Sequence, residues 1–241
     1  MAVKVFLSSL FIQASFNYRG MQNLGFAFSV LPLARALKGN KERVAALLAR
    51  HLQLFNTHPY LAAPIIGSVV YVEKNTADKA GPLAVNLKSA LTCPYAALGD
   101  SFFWGSLKPM AAVFSVLLAL HDSLLAPLAL LLTFNPAHLW IRVMGFVEGY
   151  RSGKEGVEFI RRLDLPKLTG QIKWLSLLGL ATMGAMVSRS IHIPFPDRPI
   201  EFFFMGVYLS LIILCYLGIK RGISQTKMLY LMFIISCGLS F

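Results

Sequence analysis

Residues 109–140 read PMAAVFSVLLALHDSLLAPLALLLTFNPAHLW, and Asp122 is the one formally charged side chain among them. A helix of roughly 20 apolar residues crosses the hydrocarbon core of a bilayer, so this stretch alone argues for a membrane protein. Residues 110–134 are the best spanning candidate, although His121 and Asp122 fall mid-run and Pro127 would kink it. Such a polar pair is either a functional site or the turn between two shorter segments. His-Asp-Ser is good turn chemistry, so a hairpin is expected, closed by Asn135-Pro136. Residues 142–173 change character at once, with Arg151, Lys154, Arg161, Arg162 and Lys167. They are expected to form a helix and loop on the cytoplasmic side.

The composition agrees. The chain is 56% hydrophobic and 14% charged, whereas a soluble domain carries about 25% charged residues. The net charge of +12 would suit nucleic acid only if the basic side chains formed one water-facing stripe among aromatics. Here they sit in connections between apolar segments, as cytoplasmic loops of membrane proteins require, and no nucleic-acid partner is expected. Cys93, Cys215 and Cys237 are scattered through apolar runs without metal-ligand or CxxC spacing. They read as small buried hydrophobes, and neither a metal nor a cofactor is expected. No cleavable leader is visible after Lys4, so insertion is expected to use internal spans.

Toward the N-terminus the apolar segments are shorter. Residues 21–37 are apolar and run into the basic segment 38–50, where Val44, Leu47 and Leu48 share one helical face and Arg43 and Arg50 lie opposite. That pattern is an amphipathic helix. Residues 61–72, with Pro64 and Gly67, and 87–98, with Pro94, are too short to span. They read as broken or re-entrant helices, tolerated at membrane depth where they are buried in protein or line a wet cavity. The alternative is an ordinary buried helix. Residues 174–187 form an apolar helix with small residues suited to close packing, followed by a Pro-rich connector at 192–199. Two apolar runs, 202–219 and 228–241, flank the basic turn of Lys220, Arg221, Ser224 and Lys227. They predict a C-terminal transmembrane hairpin with a cytoplasmic tip. The expected fold is therefore an all-α membrane protein: amphipathic and broken helices first, transmembrane helices after, ending in that hairpin. One domain over 1–241 is expected, with 3–190 carrying the motifs and 200–241 the hairpin.

Polar islands interrupt the apolar sequence at residues 17–25, 51–59, 99–104 and 149–153. A sugar offers hydroxyls that both donate and accept, so its site needs amides and carboxylates beside an apolar or aromatic wall. Asn17, Gln22, Asn56, Glu73 and Asp100 have that chemistry. For Asn56 and Asp100 helix capping is the competing reading; for Asn17 and Gln22 it is a polar interface with a partner subunit. His51 and His58 lack a carboxylate at fixed spacing that would mark an activated nucleophile. The phosphate-binding, dinucleotide-binding, HExxH and serine-nucleophile motifs are absent, so no catalytic residue is expected.

The islands also carry a resemblance. Asn17-Tyr18 with Met21-Gln22-Asn23-Leu24-Gly25-Phe26 resembles NYERMQNLGF; Arg50-His51-Leu52 with Phe55-Asn56-Thr57-His58-Pro59 resembles RHLxFFNTxP. Pro94, Gly99-Asp100, Trp104-Gly105 and Pro109 follow LMGPLAGIGDxxxWGTxxP. Gly149-Tyr150 with Gly153 follows GYxxG, and Leu178-Gly179-Leu180 with Gly184-Ala185 follows LGLxxxGA. In this order, over nearly the whole chain, the set is similar to the IID subunits of mannose/fructose/sorbose phosphotransferase systems. The sequence departs from that pattern at Arg19 and Gly20, which replace an acid and a base. It departs again at Glu73-Lys74, which replaces a pair of acids, and at Cys93, Ala97, Asp122 and Ala126, which replace glycines.

The resemblance implies a multi-pass protein of the bacterial cytoplasmic membrane that pairs with a IIC subunit, as a trimer of IIC-IID heterodimers in contact with membrane lipid. It implies that a hexose crosses by the IIC-IID path while the soluble IIA and IIB proteins carry the phosphate. Two readings stand beside each other: a permease subunit, and a non-transporting regulator or scaffold descended from one. An unrelated helical membrane enzyme is the third.

Overall fold

The computed structural model describes residues 1–37, 40–75, 80–190 and, beyond these, Gly206, Ser210, Ile213, Leu214, Leu217, Gly218, Arg221 and Tyr230. The chain divides into two compact units, Met1–Met186 and Val187–Phe241; the C-terminal hairpin expected over 200–241 falls almost wholly outside the described residues. Among the described residues the fold is helical, with two isolated bridges. The helices are α1 (Ala2–Ser9), α2 (Asn23–Ala36), α3 (Lys41–His51), α4 (Ala62–Asn75) and α5 (Ala80–Gly99). A π-helical segment (Asp100–Leu107) follows, then α6 (Lys108–Ala119), α7 (Ala126–Ser152), α8 (Lys154–Arg162) and α9 (Leu165–Ser190).

α3 is the expected amphipathic helix. Asn40 caps it, its side chain accepting from the Arg43 amide at 2.9 Å, and Leu47 turns inward while Arg43 stays exposed. The His121-Asp122 pair is a turn between α6 and α7, with Asp122 at φ 54°, a left-handed conformation that Asp tolerates better than most residues.

Three expectations fail at prolines. α4 is an unbroken helix whose residues 62–70 are all buried, so it is a core helix and not a re-entrant one. Pro64 stands in its first turn, where no intrahelical N–H is lost. Pro94 lies inside α5, and α5, the π segment and α6 form one continuous 40-residue helix, Ala80–Ala119. Asn135-Pro136 does not close the hairpin either, because α7 runs through Pro136 to Ser152. Residues 142–152 therefore belong to a long helix and not to the expected cytoplasmic segment. Cys93, expected in the interior, is exposed on α5.

Ala80–Ala119 and Ala126–Ser152 are both long and apolar enough to cross a membrane, and little of either is buried by this chain. Leu128, Leu131, Leu132, Leu139 and Trp140 are exposed on α7, a surface that only lipid or another apolar subunit covers without cost. The buried core lies where α4 packs on α7: Ile65, Ile66, Val69 and Val70 meet Ile141 and Phe146 in one cluster with Ile160 and Leu165. Gly67, Gly145 and Gly149 line that seam, and Ser68 Oγ donates to the Gly153 carbonyl at 2.8 Å. Small residues here let two helices approach to backbone contact.

Candidate functional site

The centre of the site is the connection between α3 and α4, residues 52–61, an irregular strand of chain held from four directions. Gln22, just ahead of α2, holds its middle. The Gln22 amide N–H donates to the Phe55 carbonyl at 2.8 Å. Its side-chain Nε2 donates to the Thr57 carbonyl at 2.8 Å, and its Oε1 accepts from the Thr57 amide at 3.1 Å. Gln22 thus imitates a β-strand neighbour, satisfying buried backbone groups that would otherwise cost free energy. It is 1% exposed. Asn17 prepares this arrangement: its Oδ1 accepts from the Gly20 amide at 2.8 Å and its Nδ2 donates to Asn23 Oδ1 at 2.9 Å. Asn23 in turn donates to the Leu52 carbonyl at 2.7 Å. A Cβ on Gly20 would collide with the Asn23 amide, which accounts locally for the small residue at that departure.

From α5, Lys88 extends its ammonium to the His51 and Gln53 carbonyls at 3.3 and 3.2 Å. The cation also lies over the Phe26 and Phe55 rings at 4.6 and 5.5 Å. It is 3% exposed, and carbonyl oxygens with aromatic faces compensate its desolvation. Thr57 Oγ1 donates to the Thr92 carbonyl at 3.0 Å. From α7, the Arg142 guanidinium donates to the Pro59 carbonyl at 3.1 Å and stacks over Tyr60.

Below the connection lies the π segment. His58 rests where a Cβ on Gly99 would stand, so the chain comes this close only because residue 99 is glycine. The imidazole stacks on Phe103, with centroids 5.0 Å apart and planes at 14°, and meets Trp104 edge-on at 5.0 Å. Ser106 Oγ donates back to the Ser101 carbonyl at 2.8 Å, bracing the widened turn, a distortion that clusters at functional sites. Tyr60 stacks on His138 of α7 at 4.3 Å. His58 Nε2, His138 Nδ1 and Arg142 Nε are buried without a hydrogen-bond partner among the described residues.

The five site residues expected from sequence separate into two groups. Asn17, Gln22 and Glu73 are engaged inside the protein. The Glu73 carboxylate, 4% exposed, lies 2.9 Å from His51 Nε2 and forms an ion pair with Arg50, whose Nε is 3.1 Å away and whose Nη2 donates to Oε2 at 3.4 Å. Burial pushes the His51 imidazole below its usual range, and Glu73 offsets part of that effect. Asn56 and Asp100 are exposed, and their side chains make no hydrogen bond to other described residues. Neither is a helix cap, because α4 starts at Ala62 and Asp100 lies within a continuous helix. Asn56 is two residues from His58, Asp100 adjoins the Gly99 that His58 covers, and Trp104 touches His58 while 49% exposed. The imidazole thus packs against an aromatic wall, and Asn56 and Asp100 are exposed positions near it along the chain.

Lys88, Arg142, Tyr60 and His138 were not expected. A signal for the first existed: Lys88 is a cation within an apolar run, costly unless given a specific partner. Arg142 was absorbed into a segment read as cytoplasmic, and the aromatic partners need three-dimensional contacts to be seen.

Changing Gln22 to Ala removes both partners from the buried Thr57 amide and carbonyl. Each orphaned group costs about 1–3 kcal/mol, so the variant is expected to lose at least about 2 kcal/mol of stability. A melting temperature within a degree of wild type in detergent would contradict this role.

Two helices long and apolar enough to cross a membrane, with cations held on main-chain carbonyls between helices, fit an integral membrane protein. The whole chain, residues 1–241, matches the PTS system mannose/fructose/sorbose family IID component, and it belongs to that family. It is 39% identical over 196 residues to the PTS system mannose-specific EIID component of Escherichia coli, covering 80% of this chain and 68% of that one. With the fructose permease IID component of Bacillus subtilis it shares 34% identity over 195 residues, 79% of this chain and 70% of that one. A solved membrane-protein structure superposes with a TM-score of 0.75 at 30% identity, covering 98% of this chain and 94% of the other. The mannose transporter ManYZ in complex with a microcin gives a TM-score of 0.60 at 32% identity, with the same coverages.

Proposed function

We propose that this chain is the IID subunit of a mannose-family permease, pairing with a IIC subunit to carry a hexose inward for phosphorylation. In this reading IIA and IIB carry the phosphate, the chain itself transfers none, and the working unit is a trimer of IIC-IID heterodimers in the bacterial cytoplasmic membrane. Residues 1–241 act as one multi-pass membrane domain. The observation that carries the reading is the exposed set Asn56, Asp100 and Trp104: Asn56 stands on a connection that Gln22, Lys88, Thr92 and Arg142 hold, and Asp100 and Trp104 stand on the π-helical segment against which His58 of that connection packs. Preorganised support of this kind is what a hydroxyl-rich ligand requires, since each misplaced hydrogen bond costs affinity. The exposed apolar faces of both long helices supply the surface for IIC and lipid.

The sequence departures leave this framework in place. Glu73 keeps its bonds to Arg50 and His51 although its neighbour is Lys74, and Lys74 reaches the Tyr150 hydroxyl at 3.4 Å. Arg19 favours the second reading, a regulator, because it puts an exposed cation where the family pattern has an acid. The test replaces Asn56 with Ala and Asp100 with Asn. Each is expected to lower hexose uptake about tenfold, the equivalent of one lost hydrogen bond, while co-purification with IIC is unchanged. Full uptake in both variants would take Asn56 and Asp100 out of the sugar path.

A further inference from the structure

His58 is 1% exposed, and its two ring nitrogens differ. Nδ1 accepts from the Tyr60 amide N–H at 3.3 Å. Burial, and after it the Arg142 guanidinium, push the imidazole down to about 4, so near neutral pH the ring is uncharged. A neutral imidazole with an accepting Nδ1 carries its hydrogen on Nε2. Nε2 is therefore a donor, and it is buried with no acceptor among the described residues. Leaving a buried donor unmet costs free energy, and native structures seldom do so without a use.

The Cβ end of His58 rests on Gly99. Its ring centroid lies 5.0 Å from those of Tyr60, Phe103 and Trp104. Phe103 has no hydrogen-bonding group, and the indole of Trp104 offers only a second donor. The Tyr60 ring is half-buried and Phe103 fully buried, whereas Trp104 is 49% exposed. Trp104 is thus the part of the cover with room to turn.

Asp100 has the opposite need. It follows the Gly99 on which His58 rests, and it lies four residues from Trp104 on the π-helical segment. That spacing is close to one turn of the widened helix, so Asp100 and Trp104 share a side, and both are exposed. A carboxylate only accepts, and no described side chain or amide donates to this one. A sugar hydroxyl does both at once: its oxygen accepts one hydrogen bond while its hydrogen donates another. His58 Nε2 and Asp100 are the two halves of that demand.

We infer that His58 is a specificity-determining residue of the sugar site: with the Trp104 indole turned aside, Nε2–H donates to one hydroxyl whose hydrogen goes to Asp100. This role rests on the permease reading and adds the residue that selects among hydroxyl patterns. An ordered water on Nε2 is the competing partner, and it would leave His58 purely structural.

The test is uptake by cells that express the full chain with its IIC partner, using the labelled hexose they carry and its monodeoxy analogues. For one analogue, wild-type kcat/KM should fall at least about tenfold below the parent sugar, the equivalent of one lost hydrogen bond. His58→Phe keeps an aromatic ring and removes the donor. It should lower uptake of the parent sugar about tenfold and leave that one analogue at its wild-type level. His58→Gln, which retains a side-chain N–H, should restore discrimination. Co-purification with IIC reports assembly, and His58→Met, also without a donor, repeats the comparison where the phenyl ring disturbs it. A parallel fall for the parent and every analogue in the donor-free variants would overturn the inference in favour of a structural water. Unchanged uptake of the parent sugar would overturn it too. Absence of any hexose uptake by the wild-type pair would defeat the permease reading and this role with it.

Discussion

Replacing Gly149 with Val should abolish recovery of folded chain from detergent extracts, the largest effect expected of any single substitution. A Cβ at residue 149 would lie 2.7 Å from the Pro64 carbonyl oxygen, 2.7 Å from Ser68 Oγ and 2.8 Å from the Ser68 nitrogen. Two of those atoms are backbone and have no rotamer to escape into. The seam has no slack elsewhere: a Cβ on Gly67 would lie 2.6 Å from the Phe146 carbonyl oxygen, and one on Gly145 would lie 2.5 Å from Pro64 Cγ. Relieving the clash means separating α4 from α7 along their length, which removes Ile65, Ile66 and Val69 from their packing. Overpacking a core costs about 1–3 kcal/mol where side chains can adjust, and here the obstruction is main chain. Gly149→Ala should be intermediate. Gly184→Val is the control, since no atom of the described residues lies within 4 Å of its Cβ position. Equal thermal stability of Gly149→Val and Gly184→Val would contradict backbone contact between α4 and α7.

Glu73→Ala should produce the second largest loss. The carboxylate serves a fully buried imidazole and a largely buried guanidinium together, and its removal strands a cation at the junction of α3 and α4. Breaking a buried pair from one side costs about 3–5 kcal/mol. Glu73→Gln should lose less, because the amide oxygen still accepts a hydrogen bond. The measurement is thermal unfolding of the purified complex, and a Glu73→Ala melting curve superimposable on wild type would exclude the pair as a structural element.

Much of the architecture was legible in the sequence because membrane insertion and amphipathicity are local properties. The apolar stretch 109–140 announced the long helices, His121-Asp122 announced the turn, and the mixed apolar and basic pattern of 41–51 announced α3, although Leu47 lines one cavity together with Arg43 and Arg50 and does not lie opposite them. The prolines were read too strictly. Pro64 sits where a helix tolerates it, and Pro94 and Pro136 are exposed positions in helices that continue through them. The interruption expected near Pro94 lies instead at residues 100–107, as a widening of the helix and not a break.

The site was legible by residue type and illegible by role. Gln22 was singled out as a polar residue in an apolar setting, yet its pairing with Thr57 spans 35 residues, which no local pattern carries. Asn56 and Asp100 were suspected as caps because caps are the commonest use of those residues, and their positions in the fold exclude it. Lys88 and Arg142 are not legible as site residues, because charge in an apolar sequence speaks first of topology. In both cases a cation inside an apolar segment was the available signal, and its partners are main-chain carbonyls and rings brought in from other helices.

The most direct measurement is phosphoenolpyruvate-dependent uptake of labelled mannose, fructose and glucose in cells that express a IIC partner with and without this chain. A permease subunit predicts uptake and phosphorylation of at least one of these sugars that disappears when the chain is omitted. Identical uptake of all three in both strains, with the chain inserted and bound to IIC, would contradict a role in transport.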